Sequence, residues 1–221
     1  MRIIRIFGKE TLATKLVISF CNEIKSEERV LIIDTICGKR LIPIHFGVED
    51  ETIYDIYDYF NGVVDFYKTF VEVDSSLGII ASSYLEDKLI AEEIDTEKLI
   101  DDAAEDYDVI IILANEAAKN WGFGDDCKNI QIYGRNNSIS SIKGDNKIVV
   151  DNTDKLLSDG VHLQELKWLV EMGFGIVGVL EDENSSQKVY QEIYQNTIND
   201  KHIEIKPKGF FNRIKEVFKN D

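Results

Sequence analysis

The side chains that most often carry chemistry are thinly spread in this sequence. His45, His162 and His202 lie far apart, with none of the short spacings that bring imidazoles onto one metal. Cys21, Cys37 and Cys127 are equally scattered, too few for a disulfide framework or a zinc site, and read as reduced thiols. Ser82-Ser83 and Ser140-Ser141 lack the flanking glycines of a nucleophile elbow. Glu181, Asp182 and Glu183 follow an apolar run and read as a solvated loop, not an acid/base pair. Two stretches hold more promise. In one, the strand-like run Arg2 to Phe7 leads through Gly8, Lys9, Glu10 and Thr11 into a helical pattern, the setting in which backbone amides can be aimed at a phosphate. In the other, Phe210, Phe211, Ile214, Val217 and Phe218 follow i, i+1, i+4, i+7 and i+8 spacing, with Lys208, Arg213, Lys215 and Lys219 on the flanks and back. Such a helix suits a membrane interface, apolar face inserted and cations toward anionic headgroups. The same pattern also fits a helix packed on an acidic body, and periodicity does not separate the two.

The charge is as uneven as the chemistry. From Lys206 to Lys219 there are five basic residues and one acid, a net +4 in a chain of −16, so the rest carries −20. An acidic body argues against nucleic-acid binding, which requires a basic surface. No stretch approaches the roughly 18 to 20 apolar residues of a membrane span, and the N-terminus, interrupted by Arg5, does not read as a signal peptide. Seven short β-type runs are expected: 2–7, 29–34, 78–83, 107–113, 129–133, 147–151 and 174–180. Several are continuously apolar, as strands covered on both faces are. Between them run helical patterns, Leu12, Leu16, Phe20 and Ile24 on one, Leu163, Leu166 and Leu169 with Trp168 on another. The alternation predicts an α/β fold, a mostly parallel sheet with helices on both faces. The expected division is a body over residues 1–203 and a basic amphipathic segment over 204–221, with Pro207 as punctuation.

Five blocks in order carry a resemblance. VLIIDTICGKR within Arg29 to Arg40, GVEDETIYDIYDYFNG, GIIASSYLEDK at Gly78 to Lys88, FGIVGVLEDE at Phe174 to Glu183, and KGFFNRIKEVF at Lys208 to Phe218 resemble the MinD/ParA family of septum-site-determining, deviant Walker A P-loop ATPases. The resemblance implies a P-loop NTPase-like, three-layer fold, ATP hydrolysis on Mg²⁺, a membrane-targeting C-terminal helix, dimerisation and protein partners of a division or positioning machinery.

The nucleotide-binding pattern of that family is matched only in fragments. A P-loop needs glycines for its amide nest, a Lys for the outer phosphates and a Ser or Thr for Mg²⁺. Here only Gly8 and Lys9 match, with Glu10 at the hydroxyl position and Thr11 one step on; either the loop is deleted or its glycines are replaced by Arg5, Ile6 and Phe7. Asp34 matches the first switch carboxylate, while the second falls on Ile36, and the metal-binding Asp at the end of the fourth parallel run falls on Leu113. The adenine-reading Asn falls on Asp151 or Asn152. Gly8, Lys9, Thr11, Asp34 and Asn152 are therefore expected to be vestigial, with no catalytic residue, no metal site and no cofactor. The expected role is a non-hydrolysing regulator or scaffold, cytoplasmic and peripheral on the inner face of the cell membrane. Its partners would be an anionic membrane surface, positioning proteins, and a second copy or an intact family member. Two alternatives stay open: a reduced but active ATPase using Lys9, Thr11, Asp34, ATP and Mg²⁺, and a soluble adaptor whose tail packs on the body. The segment between Tyr133 and Lys147 is shorter than the family's, which leaves partner identity open.

Overall fold

The computed structural model describes residues 1–86, 88, 94–135, 139, 144–182 and 185–205. The membrane-binding candidates Lys208, Phe210, Phe211, Arg213, Ile214, Lys215, Val217, Phe218 and Lys219 lie outside the described residues, as do Ser140, Ser141 and Glu183.

Eight strands form one sheet: β1 (Arg2–Phe7), β2 (Val30–Asp34), β3 (Phe70–Asp74), β4 (Leu77–Ile80), β5 (Val109–Leu113), β6 (Lys128–Tyr133), β7 (Asp145–Asp151) and β8 (Gly175–Leu180). Their order is β3-β4-β2-β5-β1-β6-β7-β8, parallel throughout except for β3 against β4. The helices are α1 (Glu10–Ile24), α2 (Leu41–Phe46), α3 (Ile56–Phe60), α4 (Thr96–Ala104), α5 (Gly160–Glu171) and α6 (Gln187–Ile198). The expected α/β class and all seven expected strands are present. The eighth, β3, escaped the pattern because its FVEVD run is partly exposed and carries a solvated Glu72; it is an edge strand, joined to β4 by a tight turn in which Asp74 Oδ1 accepts from the Ser76 amide at 2.8 Å.

The layers follow from which face each strand residue presents. Val30, Ile32, Ile111 and Ile130 share one core with the apolar stripe of α1 and with Tyr190, Ile193 and Tyr194 of α6. Leu31, Ile33, Ile110 and Ile112 point the other way, under α3 and α4. In α1, Leu12, Leu16 and Phe20 are fully buried at helical spacing. Phe20 meets Tyr194 edge-on at 5.1 Å, which ties α1 to α6. Leu166 and Leu169 of α5 close a third core over β7 and β8. Trp168, counted with them in the sequence pattern, instead stands 56% exposed on the outer side of the helix.

Sheet order sets the place of a site. From β1 the chain builds the β2-β5 half on one side, and β6, β7 and β8 lie on the other. The topological switch point is at β1, and in open α/β sheets the binding crevice forms outside the carboxyl ends of the strands there.

Candidate functional site

A cleft of about 370 Å³ opens at that switch point, over the carboxyl ends of β1, β5 and β6. Phe7, Gly8, Ile36, Ala114 and Ile132 give it apolar walls, and Glu10, Asn115, Glu116, Lys119 and Gln131 supply polar groups.

Its corner is the joint between β1 and α1, which contains only Gly8 and Lys9. Arg5, Ile6 and Phe7 belong to the strand, in register with Asn129, Ile130 and Gln131 of β6. The joint is therefore two residues long, and none of these three residues lies in it. Gly8 is at φ +128°, and a Cβ there would stand 2.7 Å from the Ile132 Cβ, so the turn is pressed onto β6. Lys9 is the N-cap, and its carbonyl accepts from the Leu12 and Ala13 amides, both at 2.9 Å. Glu10 occupies the first turn, where a carboxylate suits the helix dipole, and is ion-paired with Lys39 from the loop after β2. Thr11 is exposed on that turn.

Asp34 ends β2 fully buried. One oxygen accepts from the Ile36 amide at 2.9 Å and the other from the Ile42 amide in the first turn of α2 at 3.3 Å. Burial pushes its carboxyl up to about 6, opposed by those two amides and by Arg40. The group that matched a switch carboxylate thus stitches β2 to α2. Ile36, at the second switch position, lies on the cleft wall. Leu113 sits between Ile6 and Asp34 in register and is wholly buried in the α1 core. Asp108, at the opposite end of β5, accepts from the Arg29 amide at 2.9 Å. Asn152 lies away from the cleft lining, its amide nitrogen on Glu181 at 2.6 Å and its oxygen on the Leu157 amide at 2.8 Å. Of the five expected site residues, then, Gly8 lines the cleft, Lys9 and Thr11 adjoin it, and Asp34 and Asn152 are structural bonds.

Sequence reading missed the cleft's polar rim. Asn115 donates to the Thr35 carbonyl at 2.6 Å and to the Tyr57 hydroxyl at 3.1 Å, while its oxygen accepts from the Ala118 amide at 2.9 Å. Lys119 pairs with Glu116 at 2.8 Å. Gln131 donates to Asn146 at 3.2 Å. Behind this rim, Arg5 is 1% exposed, bonding Asn129 at 2.8 Å and the carbonyls of Ala118 at 3.0 Å and Trp121 at 2.8 Å. Desolvation lowers the Arg5 pKa, and burial pushes the neighbouring Cys127 thiol up to about 11. An Arg inside the apolar run IIRIF was the available signal for this buried network. Lys88, from the loop that matched the family's Asp-Lys, bonds Asp55 at 2.8 Å and Asp58 at 2.6 Å, bracing the capping box of α3. Among the described residues, no group of three or more His, Cys, Asp or Glu could hold a metal, and no helix is long and apolar enough to cross a membrane.

No protein-family model and no curated protein sequence matches the chain. Solved structures do. A plasmid partition protein from Borrelia burgdorferi superposes with a TM-score of 0.67 at 17% identity, over 90% of this chain and 99% of that one. A structure of a plasmid partition protein from the same organism, bound to AMPPNP, gives 0.62 at 16% over 90% and 98%. The MinD cell division protein of Aquifex aeolicus gives 0.54 at 16% over 93% and 100%. At such identities the likeness is one of architecture: the chain has the P-loop NTPase-like α/β fold of the ParA/MinD structures.

Proposed function

We propose that this chain is a non-hydrolysing member of that fold group, a scaffold that presents a protein-binding surface at the membrane in division-site selection or polar positioning. The observation that carries the reading is the two-residue turn between β1 and α1. A phosphate nest needs several consecutive amides facing one concavity. Here Gly8 is shut against Ile132, the Lys9 carbonyl takes the Leu12 and Ala13 amides into the helix, and Glu10, held by Lys39, stands at the positive end a phosphate would seek. The residues do not fit a triphosphate with its metal. Leu113 offers no carboxylate, Ile36 is apolar, and both Asp34 oxygens already accept backbone amides. Phosphoryl transfer depends on positioning and charge neutralisation, so the loss of several parts at once leaves little rate.

The positioning role is supported by the partition and MinD architecture and by the basic amphipathic sequence Lys208 to Lys219. A single short helix binds membrane weakly and reversibly. A partner or second copy would strengthen it by avidity.

Nucleotide titration tests the first half. With ATP and Mg²⁺ at about 1 mM, a Kd of about 100 μM would add about 1.4 kcal/mol of stability. An unchanged thermal midpoint is expected; a Mg²⁺-dependent rise would reject the empty-site reading and favour the active-ATPase one, which phosphate release would then test. Sedimentation with phosphatidylglycerol vesicles tests the second half. The native chain should pellet and the Phe211→Glu/Ile214→Glu double variant should stay in the supernatant; a native chain that also stays there rejects the membrane role.

A further inference from the structure

Two of the resembling blocks, GVEDETIYDIYDYFNG and GIIASSYLEDK, meet at one side chain beyond the carboxyl ends of β2 and β4. Arg40 is 2% exposed, and its guanidinium donates to the Ser82 carbonyl at 2.8 Å, the Thr52 carbonyl at 3.0 Å and the Glu49 carbonyl at 3.5 Å. The Tyr84 ring lies over it at 3.9 Å, and the Tyr84 hydroxyl donates to the Glu49 carbonyl at 3.4 Å. A planar fork of donors suits an arginine to joining loops in this way. The Arg40 backbone is itself left-handed, at φ +46°, a conformation that a residue with a side chain keeps only where its surroundings fix it. The loop between α2 and α3 and the loop after β4 are therefore built into one surface.

That surface is apolar where it meets water. Ile53 is 81% exposed, and Tyr84 and Leu85 are each 62% exposed. All three adjoin the arginine: Ile53 follows Thr52, whose carbonyl Arg40 holds, and Leu85 follows the stacked Tyr84. The rim is acidic. Asp50, Glu51 and Glu86 are exposed beside these residues, while the cations of the neighbouring loops are engaged elsewhere, Lys39 with Glu10 and Lys88 with Asp55 and Asp58. Glu49, which holds the Tyr84 hydroxyl through its carbonyl, keeps Oε2 out of water without a hydrogen-bond partner among the described residues. Such an atom is unfavourable to bury until a donor reaches it.

We infer that this patch docks a cationic amphipathic segment of a partner protein, with aliphatic side chains against Ile53, Tyr84 and Leu85 and Lys or Arg over Asp50, Glu51 and Glu86. The inference rests on the scaffold reading and deepens it, giving the protein-binding surface a place and the partner a chemistry. Charge selects the occupant. The acidic rim repels an anionic membrane, and it repels a second copy of a chain whose net charge is −16. A segment with cations beside an apolar face is drawn by both parts of the patch. Because Arg40 fixes the two loops beforehand, little ordering is left to be done when the partner arrives.

A labelled synthetic peptide of about 14 residues, with leucines at i, i+3 and i+4 spacing and lysines between them, tests this by fluorescence anisotropy on the full-length chain. The native chain should bind it, and Ile53→Ser/Leu85→Ser should weaken binding about tenfold or more. Both side chains already stand in water, so this variant should keep its thermal midpoint. Asp50→Lys/Glu51→Lys should weaken binding by a similar factor and flatten its salt dependence. Val161→Ser/Trp168→Ser, on the exposed side of α5, should leave it unchanged. A peptide of the same composition with its leucines scattered around the helix should bind several-fold less tightly. No binding, or equal binding to the native and Ile53→Ser/Leu85→Ser chains, overturns the proposal. Loss of vesicle pelleting in Ile53→Ser/Leu85→Ser also overturns it, by making the patch a membrane contact. So does a concentration-dependent self-association that this variant abolishes, by making the patch a face between two copies. If the peptide binds as described while the native chain stays in the supernatant with phosphatidylglycerol vesicles, docking stands and the membrane role fails. If the chain pellets but ignores the peptide, docking alone fails.

Discussion

Gly8 and Asp34 are each tied closely into the body, Gly8 by its approach to Ile132 and Asp34 by two backbone amides. At Gly8 both the positive φ and the Ile132 contact forbid a side chain. Gly8→Ala should cost about 2–3 kcal/mol in urea unfolding, by strain plus overpacking; a cost below about 0.5 kcal/mol would mean the corner has room to open. Asp34 makes a prediction in pH. Its folded pKa of about 6 lies above the ordinary 3.8. Between those values the native state holds a proton that the unfolded chain has released, so the Asp34 contribution to stability falls as pH rises through that window. The difference amounts to about 3 kcal/mol. Native chain and Asp34→Asn, compared in urea from pH 4 to pH 7, should diverge in slope by that order, and carboxyl ¹³C NMR should place the Asp34 midpoint near 6. A midpoint at or below 4 would show that the two amides and Arg40 outweigh burial.

At the scale of elements, the cleft wall is held by a side chain from the strand beneath it. Arg5 of β1 bonds carbonyls at Ala118 and Trp121, within and just after the 3₁₀ turn Ala117–Asn120 that carries Lys119. Arg5→Leu keeps much of the volume and removes the donors, stranding buried carbonyls at a typical cost of about 1–3 kcal/mol each. A loss of about 2–4 kcal/mol is expected, with faster amide exchange over residues 116–123 than elsewhere. Uniform acceleration would show that the arginine supports the whole sheet instead of that wall. Arg5→Lys should not restore the native rate, since an ammonium lacks the fork that reaches Asn129 and two carbonyls together.

For the whole molecule the governing quantity is a charge of −20 on everything outside Lys206 to Lys219. On the proposed membrane role, an acidic body would repel the anionic surface that the basic segment is proposed to bind, so attachment should be sharply salt-sensitive. Raising NaCl from about 0.05 to 0.3 M shrinks the Debye length from roughly 14 to 6 Å, and vesicle pelleting should fall several-fold over that range. Pelleting that is indifferent to salt would assign attachment to apolar insertion alone.

The α/β class and seven of eight strands were legible in the residue pattern, because continuous β-branched runs such as VLIID and VIIIL have no stable place except a sheet covered on both faces. The shortness of the β1–α1 turn was legible only as one of two alternatives. Pairing of Arg5, Ile6 and Phe7 with β6 places these three in the strand, and pairing is a property of strands far apart in sequence. The sequence by itself determined the composition of the corner, Gly-Lys-Glu-Thr, and the contrast between acidic body and basic end. Only the tertiary structure decided that Asp34 and Asn152 spend their polar atoms on neighbouring backbone and side chains, and that Trp168 faces outward. The physical reason is common to all three. Whether a polar or aromatic group is available to a ligand depends on which partners folding brings within bonding distance, and that is settled by the course of the folded chain, from Ile36 and Ile42 two and eight positions after Asp34 to Glu181 29 positions after Asn152.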